Sequence, residues 1–296
     1  MDVLVLGGAG QVGLELRRLA AGSGLGCAAP TRAELDLLDE AAVRAAVASR
    51  PWACVINAAA YTAVDKAESD KDAAWAINAA FPACLADATA AARIPLVHVS
   101  TDYVFDGGKA GPYEVDDPVA PLGVYGASKE AGERGVRAGN PRHAIVRTAW
   151  VVSPHRANFV KTMMRLAAER PALRVVDDQH GTPTVAADLA GALLTVATRL
   201  ASDPAAPAGT FHFANAGETT WCGLARETLA LSAERGGPSV PVEAIATADY
   251  PTPARRPANS RLSTARITAD YGIVPRDWRT ALADVVAALV PGRTSP

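Results

Sequence analysis

The sequence predicts an α/β protein built on a doubly wound parallel sheet, followed by a smaller C-terminal domain. Short apolar segments rich in Val and Leu alternate with longer Ala-rich segments of helical spacing, which is the pattern of strands joined by crossover helices. A glycine-rich turn stands between the first apolar segment and the first helical one. The 49% hydrophobic and 20% charged fractions are ordinary for a globular chain of 296 residues.

The predicted elements follow in chain order. An apolar segment too short for a helix predicts a buried strand, and such segments occupy residues 3–6, 54–60, 95–100, 143–151 and 173–179. A long Ala-rich helix is predicted over 71–93, interrupted or bent at Pro82 because proline removes a backbone donor. Further segments of helical spacing are residues 14–21, 186–201, 221–237 and 278–290.

The chain is predicted to divide into a nucleotide-binding domain at 1–150 and a mainly substrate-binding region at 151–296. The two parts are expected to interleave, because "HFANAG" within residues 211–217 reads as a strand returning to the sheet. Residues 241–263 are rich in Pro, Arg, Thr and Asn, which predicts a loop-rich cap over a site. The final "PGRTSP" is expected to fray.

Composition excludes several classes of function. The net charge of −2 does not favour binding to nucleic acid or to an anionic membrane. Neither a signal peptide nor a run of eighteen apolar residues is seen, so we expect no membrane partner. The four cysteines lack zinc-ligand spacing, which favours reduced thiols and a cytoplasmic location.

The glycine-rich turn predicts a dinucleotide site. Gly7, Gly10 and Gly13 form G-x-x-G-x-x-G between a predicted strand and a predicted helix. Glycine allows a tight turn and a close backbone approach to a pyrophosphate, while the helix N-terminus offers free N–H groups to the anion. This context identifies a Rossmann-type nucleotide-binding fold.

The segment after the second strand bears on the choice of cofactor. An acidic residue there binds the 2′-hydroxyl of NAD, but Thr31 and Arg32 follow the strand here. A guanidinium suits a 2′-phosphate, so NADPH is favoured and NADH stays possible. Arg32 is otherwise a solvated surface residue. Asp36 either approaches the adenine or caps the next helix.

A Tyr–Lys pair predicts acid–base chemistry. Tyr125 and Lys129 are four residues apart in "YGASKEAGE" and therefore share one helical face. A phenol is a poor catalyst at neutral pH unless a nearby cation lowers its pKa, and an ammonium supplies that cation. Two hydroxyls, Ser100 and Thr101, end the preceding strand, where a doubly wound sheet binds its ligand. Together these residues predict a hydride-transfer site with a tyrosine acid.

Several longer motifs resemble those of one known family. They are "INAAAYTAVDKAE", "STDYVFDG", "YGASKEAGE", "VRTAWV", "DQHGTPT" and "YPTPARRPANSRL", in order from residue 1 to about residue 290. With the glycine turn, they are similar to motifs of the dTDP-4-dehydrorhamnose reductases, in the extended short-chain dehydrogenase/reductase superfamily. The resemblance implies NADPH-dependent reduction of the 4-keto group of dTDP-4-dehydro-L-rhamnose to dTDP-L-rhamnose.

The resemblance also implies roles for individual residues. Thr101, Tyr125 and Lys129 would form the catalytic triad, with Tyr125 as the acid, Lys129 as its modulator and Thr101 as the partner of the carbonyl oxygen. The cofactor would be bound by residues of the glycine turn, the loops after the second and third strands and the triad: Gly7, Gly10, Gln11, Val12, Gly13, Arg32, Asp36, Leu37, Ala58, Ala59, Tyr61, Tyr125 and Lys129.

Three residues after the strands, Asp102, Tyr103 and Trp150, would surround the sugar, although ordinary strand-end packing is the alternative for each. Arg255 suits the diphosphate of a nucleotide sugar, as does its neighbour in "ARRPAN", and Asn259 would help position it. The alternative for this segment is a solvated basic turn.

Some members of the family dimerise through magnesium. The resemblance therefore implies a possible Mg²⁺ ligand at Glu15, with Asp188 as a possible companion, and a possible homodimer. Two other functions stay open at this point. An epimerase or dehydratase of the same superfamily would recycle a tightly bound NAD, and a regulatory subunit would bind NADP without catalysis. Arg32 and the "STDYVF" stretch disfavour the first, and the intact triad disfavours the second.

Overall fold

The computed structural model describes residues 1–291; residues 292–296, most of the tail predicted to fray, lie outside the described residues. The strands are β1 (Asp2–Leu6), β2 (Gly26–Ala28), β3 (Cys54–Asn57), β4 (Leu96–Thr101), β5 (His143–Thr148), β6 (Val151–Val152), β7 (Leu173–Val176), β8 (His180–Gly181), β9 (Thr184–Val185), β10 (Gly209–His212), β11 (Thr219–Thr220) and β12 (Val242–Ile245). The helices are α1 (Gln11–Gly22), α2 (Glu40–Ala48), α3 (Val64–Ala67), α4 (Lys71–Trp75), α5 (Phe81–Ala91), α6 (Val124–Gly139), α7 (Phe159–Glu169), α8 (Ala186–Ser202), α9 (Trp221–Glu234), α10 (Ala265–Tyr271) and α11 (Trp278–Leu289).

A six-stranded parallel sheet organises the molecule, in the order β10-β5-β4-β3-β1-β2. The predicted doubly wound parallel sheet is therefore confirmed. From β1 the chain moves outward to β2 and then back to the other side at β3. This reversal opens a crevice at the carboxyl ends of β1 and β3, which is where such sheets bind ligands. The glycine turn and the loop after β3 both start at that edge.

Each face of the sheet is buried under helices, which explains why its strands are apolar along their whole length. On one face, strand residues such as Val3 and Val97 pack with α1 and α8, including Leu16, Leu189 and Leu193. The other face packs with α2, α5 and α6. None of the helices within residues 1–291 combines the length and the apolar character needed to cross a membrane.

A third apolar core lies in the C-terminal half and joins α7, α9 and α11. It also takes in Phe105 and Tyr113 from the N-terminal half. In return, β10 and α8 of the C-terminal half pack on the central sheet. The division at residue 150 stays a prediction, and chain segments cross it in both directions.

The irregularity predicted at Pro82 lies one turn earlier. Pro82 is the second residue of α5, but Ala80 and Phe81 before it are also helical, so its missing N–H falls inside a continuous helix. The preceding residues Ala76–Ala80 form a π-helical segment between α4 and α5. Such one-turn widenings inside helices are frequent at functional sites. The predicted strands at 54–60 and 211–217 are also shorter, ending at Asn57 and His212.

Candidate active site

The glycine turn is packed too tightly for any other residue at two of its three positions. Gly7 has a φ of 86°, and a Cβ there would lie 2.6 Å from the backbone N of Ala59. A Cβ on Gly13 would lie 2.2 Å from the Gly7 carbonyl oxygen. Gly10 differs, because the nearest atom to its Cβ would be that same oxygen at 3.4 Å. The outer side of the turn is therefore open to a ligand.

The first turn of α1 suits an anion. Gly10 is the N-cap residue, and no side chain caps the helix. The N–H groups that follow, from Gln11 and Val12 onward, are thus left for a ligand, and the helix dipole favours a negative one. The side chain of Gln11 is engaged elsewhere: its Oε1 accepts from Ser153 at 2.7 Å and from Asn158 at 3.0 Å. A dinucleotide pyrophosphate fits this cradle.

The loop after β3 forms the other wall of the crevice. Ala58 and Ala59 flank the glycine turn, and the Ala59 N–H donates to the Asn57 side chain at 3.0 Å. Tyr61 is bound by Asn78 of the π-helical segment, whose Oδ1 accepts from the Tyr61 N–H at 2.8 Å and whose Nδ2 donates to the Tyr61 carbonyl at 3.1 Å. The π-helical turn therefore holds the cofactor-side loop in place.

The residues predicted to contact the adenosine half lie at the rim after β2. Arg32 is exposed and forms no ion pair with another described residue, so its charge is available to a 2′-phosphate. Asp36 accepts from the Leu38 N–H at 3.0 Å, while the cap of α2 is Asp39. Leu37 is half-buried against the core of the sheet. The alternative role of Asp36 as the helix cap is thus taken by Asp39.

Thr101, Tyr125 and Lys129 converge at the carboxyl end of β4. Thr101 is the last residue of β4, and α6 packs across this strand and the turn that follows it. Tyr125 is in the first turn of α6, and its ring meets Tyr103 edge-on with 5.4 Å between centroids. Lys129 is 1% exposed, and its Nζ donates to the Val99 carbonyl at 2.8 Å. The lysine therefore spans from the helix to the middle of the strand.

Burial controls the proton affinity of both side chains on α6. Burial raises the pKa of Tyr125 to about 12, opposed by the Thr101 hydroxyl and reinforced by the Asp102 charge. Burial lowers the pKa of Lys129 to about 8, opposed by the charge of Glu133. We expected the ammonium to lower the pKa of the phenol, but in this structure burial prevails. The phenol is therefore fully protonated at neutral pH, as a proton donor must be.

Two residues without a predicted role, Glu68 and Asn78, hold α6 in position. The Glu68 carboxylate accepts from the Val124 N–H at 2.9 Å and so caps α6, which has only Gly123 at its N-cap. Asn78 donates to the Ser128 hydroxyl at 3.1 Å. Glu68 ends the quoted "INAAAYTAVDKAE" motif, but 56 residues separate it from Val124, so sequence spacing did not reveal the contact.

Of the three residues predicted to surround the sugar, Asp102 and Tyr103 lie next to Thr101 and Tyr125, whereas Trp150 packs against Trp221. Asp102 is buried beside the triad, where its Oδ1 accepts from the Thr101 hydroxyl at 3.0 Å and its Oδ2 has no partner among residues 1–291. Burial raises the pKa of Asp102 to about 6. Tyr103 packs on Tyr125, as described above. Trp150 adopts a left-handed backbone with a φ of 49° and stacks on Trp221 with 3.7 Å between centroids.

The segment rich in Pro and Arg packs against the loop after β4, where a Cβ on Gly107 would lie 2.5 Å from the Cβ of Pro257. Arg255 is exposed, whereas Arg256 is turned inward and its Nη2 donates to Asp65 at 2.8 Å. The Nη1 of Arg256 is buried and has no partner in the described part of the chain. Asn259 is fully occupied: its Nδ2 donates to the carbonyls of Lys109 and Gly111, and its Oδ1 accepts from Arg261. These contacts favour a structural role for Asn259.

Glu15 lies on α1 within an ionic cluster. It accepts from Arg18 Nε at 2.7 Å and from His155 Nε2 at 3.0 Å. Asp188, its predicted companion, instead binds Arg276 and Asn215. Among residues 1–291, no group of three or more His, Cys, Asp and Glu side chains is arranged to hold a metal ion. A magnesium site within one subunit is thus unsupported, and a bridge between two subunits stays a prediction that gel filtration with and without chelator tests.

The fold and the site together define a class of protein. A Rossmann-type sheet with an anion cradle at its switch point, and a Tyr–Lys pair beside a strand-end hydroxyl, is the arrangement of nucleotide-dependent short-chain dehydrogenases/reductases. The family model described as the RmlD substrate binding domain matches residues 1–290. The chain belongs to that family.

Named relatives agree with this assignment. A protein of Streptomyces griseus named dTDP-4-dehydrorhamnose reductase is 45% identical over 97% of this chain and 93% of its own length. A crystal structure of a reductase of that name from Clostridium acetobutylicum is 36% identical, with a TM-score of 0.91 over 98% of this chain and 99% of the other. Another, from Bacillus anthracis in complex with NADP, is 31% identical, with a TM-score of 0.90 over 96% and 99% of the two chains. The family predicted from the motifs is confirmed.

Proposed function

We propose that this chain reduces the 4-keto group of dTDP-4-dehydro-L-rhamnose with NADPH and releases dTDP-L-rhamnose. The observation that carries the proposal is the convergence of Thr101, Tyr125 and Lys129 next to the crevice of the glycine turn. Membership of a family with relatives named dTDP-4-dehydrorhamnose reductase supports the choice of substrate.

The chain's own residues account for the acid side of this reaction. When bound, NADPH supplies a hydride to the carbonyl carbon. Tyr125, protonated at neutral pH, donates its phenolic proton to the carbonyl oxygen, which thereby avoids becoming a free alkoxide. The Thr101 hydroxyl lies beside the phenol. It can hold the same oxygen once it turns its single proton from Asp102 to the carbonyl. Two of the three Lys129 N–H bonds stay available for a ribose hydroxyl after the bond to Val99.

The proposed preference for NADPH depends on Arg32. We expect Arg32→Ala to weaken NADPH binding by about tenfold and to leave NADH binding nearly unchanged, because one exposed charged contact to a phosphate contributes about 1–2 kcal/mol. Fluorescence titration of both cofactors measures this. Arg170→Ala, which removes an exposed arginine at the end of α7, is the matched control. Equal NADPH affinity in Arg32→Ala and wild type would remove Arg32 from the site.

Binding of dTDP, which carries the diphosphate of the nucleotide sugar, tests the roles of Arg255 and Arg256 in the loop-rich region of residues 241–263. In the wild-type protein the Arg256 guanidinium faces inward, and its Nη1 has no hydrogen-bond partner among residues 1–291. We expect Arg256→Ala to weaken binding of dTDP by about tenfold or more. Arg255→Ala, which removes the exposed neighbour, should have the smaller effect. Asp65→Asn removes the carboxylate partner of Arg256 but keeps the cation, and so it separates ligand binding from loss of the ion pair. Calorimetric titration with dTDP gives the affinities, and equal affinity in all three variants would exclude a diphosphate role.

Turnover tests the function as a whole. The loss of NADPH absorbance is followed with dTDP-4-dehydro-L-rhamnose generated in situ. Turnover by the wild-type protein is expected, while tight NADPH binding without turnover would favour another nucleotide sugar or a regulatory subunit. An epimerase would copurify with NAD, so the cofactor content of the purified protein separates that alternative.

A further inference from the structure

A buried ion pair lies directly behind the catalytic lysine. Glu133 is one helical turn beyond Lys129 on α6 and is completely buried. Arg147 of β5 donates to both carboxylate oxygens of Glu133, from Nε to Oε1 at 2.9 Å and from Nη2 to Oε2 at 2.7 Å. Arg137 adds a third bond at 3.1 Å. This bidentate geometry holds the pKa of Glu133 below its usual value despite burial.

Packing alone does not explain the pair. Taking two charges out of water costs several kcal/mol per ion, and apolar side chains of the same shape fill a core equally well. Arg147 has no nitrogen left to bind a ligand, because its remaining Nη1 contacts the Val115 carbonyl and His212. A charge kept at this cost has consequences for the other buried charged group of the helix, Lys129, which lies one turn before Glu133.

The other titratable groups around Lys129 offer it little negative charge. His98 on β4 is uncharged, because burial and Lys129 itself hold its pKa well below the usual value. The pKa of His212 on β10 is lowered by burial to about 3. Tyr125 is a neutral phenol at neutral pH, and Asp102, whose pKa is raised to about 6 by burial, acts on Tyr125. Glu133 is the carboxylate whose charge raises the pKa of Lys129 against burial.

We propose that Glu133, held ionised by Arg147, is a positioning residue that keeps Lys129 protonated in the folded enzyme. The inference rests on the proposed function, in which the protonated Lys129 donates to a ribose hydroxyl of the cofactor beside the Tyr125 acid. Without the carboxylate, burial drives Lys129 towards the neutral amine near physiological pH. Activity then falls at a lower pH than in the wild type, although no atom of Glu133 touches a ligand.

The proton on Lys129 can be observed directly. Lysine occurs only at positions 66, 71, 109, 129 and 161. Protein labelled with ¹³C at the lysine ε-carbon therefore has five resonances to follow by NMR as pH is raised, and Lys129→Met assigns the one of interest. We expect Glu133→Gln to lower the titration midpoint of Lys129 by about one pH unit. The alkaline limb of the kcat profile should move by the same amount.

Three companion variants make the outcome decisive. Glu133→Asp keeps the charge and should restore most of the midpoint. Glu130→Gln removes a carboxylate of the same helix that pairs with Arg134 at 3.2 Å, and it should leave the midpoint unchanged. Glu133→Gln combined with Arg147→Gln leaves no unpaired buried charge, so this protein should fold. Because it also loses the like charge of Arg147, its Lys129 midpoint should be lowered by less than in Glu133→Gln.

Other results would overturn the proposal. They are a wild-type midpoint in Glu133→Gln, an equal shift in Glu130→Gln, or failure of both Glu133→Gln and the double variant to fold, which would assign the pair a purely structural role. The NMR midpoint needs no substrate. A wild-type protein without turnover therefore contradicts the proposed function and leaves the test of Glu133 intact.

Discussion

Tyr125→Phe is expected to lower kcat by about 10²–10⁴-fold, the range attributed to a positioned general acid. The phenol is buried and its pKa is raised to about 12, so it is fully protonated at neutral pH and only its hydroxyl is lost in the variant. The phenylalanine ring keeps the edge contact with Tyr103. NADPH oxidation measures the rate, and fluorescence titration should show that NADPH still binds.

A second tyrosine provides the control for loss of a buried phenol. Tyr113 is 4% exposed and donates its hydroxyl to Asp106 at 2.6 Å, in the C-terminal core. Tyr113→Phe should lose some stability and retain turnover. If Tyr125→Phe and Tyr113→Phe lowered kcat equally, the effect would report on folding, and Tyr125 would lose its role as the acid.

Arg147→Met is expected to have the largest effect on stability, lowering the free energy of unfolding by about 3–5 kcal/mol at neutral pH. The substitution leaves the Glu133 carboxylate buried without the two bonds that compensate its burial. It also removes the guanidinium that lies 5.0 Å from the centre of the Phe105 ring. Urea unfolding followed by circular dichroism gives the difference.

The pH dependence of this difference identifies its origin. The lowered pKa of Glu133 means that its contribution is fully present above the ordinary carboxyl pKa of about 4 and is lost as pH falls through the folded value. In Arg147→Met the Glu133 carboxyl keeps only the bond from the half-buried Arg137 and can be protonated at a higher pH than in the wild type. The difference in stability between variant and wild type should therefore narrow towards acid. A gap that is the same at every pH would point to lost packing.

An exposed pair gives the matched comparison. Arg165 and Glu169 form an i,i+4 pair on α7 with side chains 60% and 52% exposed. Arg165→Met should change stability far less, because solvent screens such pairs. Combining Arg147→Met with Glu133→Gln should recover much of the loss, since the buried charge is removed along with its partner. A double variant no more stable than Arg147→Met would contradict the assignment to an unpaired charge.

Most of the fold could be predicted from the sequence, because strands, helices and the glycine turn are indicated by patterns of neighbouring residues. Alternating apolar strands and helical segments predict a parallel sheet from hydrophobic periodicity alone. The glycine turn could be predicted because it is a short local motif. Gly7 and Gly13 are required by close contacts with the turn itself and with the loop after β3. The i,i+4 spacing of Tyr125 and Lys129 likewise follows from helix geometry. These features need no knowledge of how distant segments meet.

Other features depend on contacts between residues far apart in the chain, and local pattern does not encode these. The cap that Glu68 provides for α6 and the clamp that Asn78 places on Tyr61 each join separate elements. Pro82 predicted an interruption or a bend, and the regular helix is interrupted by the π-helical segment that ends two residues before it. Local pattern did not show the type of this interruption or its contact with Tyr61.

By itself, the sequence determined the type of sheet, the position of the cofactor turn, the Tyr–Lys pair and the family. Only the tertiary structure decided which charges are buried together. It turned Arg256 inward and left Arg255 exposed, and it placed Arg147 on the carboxylate of Glu133. It also set the pKa of Tyr125 by burial, against the expectation from the neighbouring lysine. The physical reason is that proton affinity depends on solvent exclusion and on charges from several strands and helices, which meet only when the chain is folded.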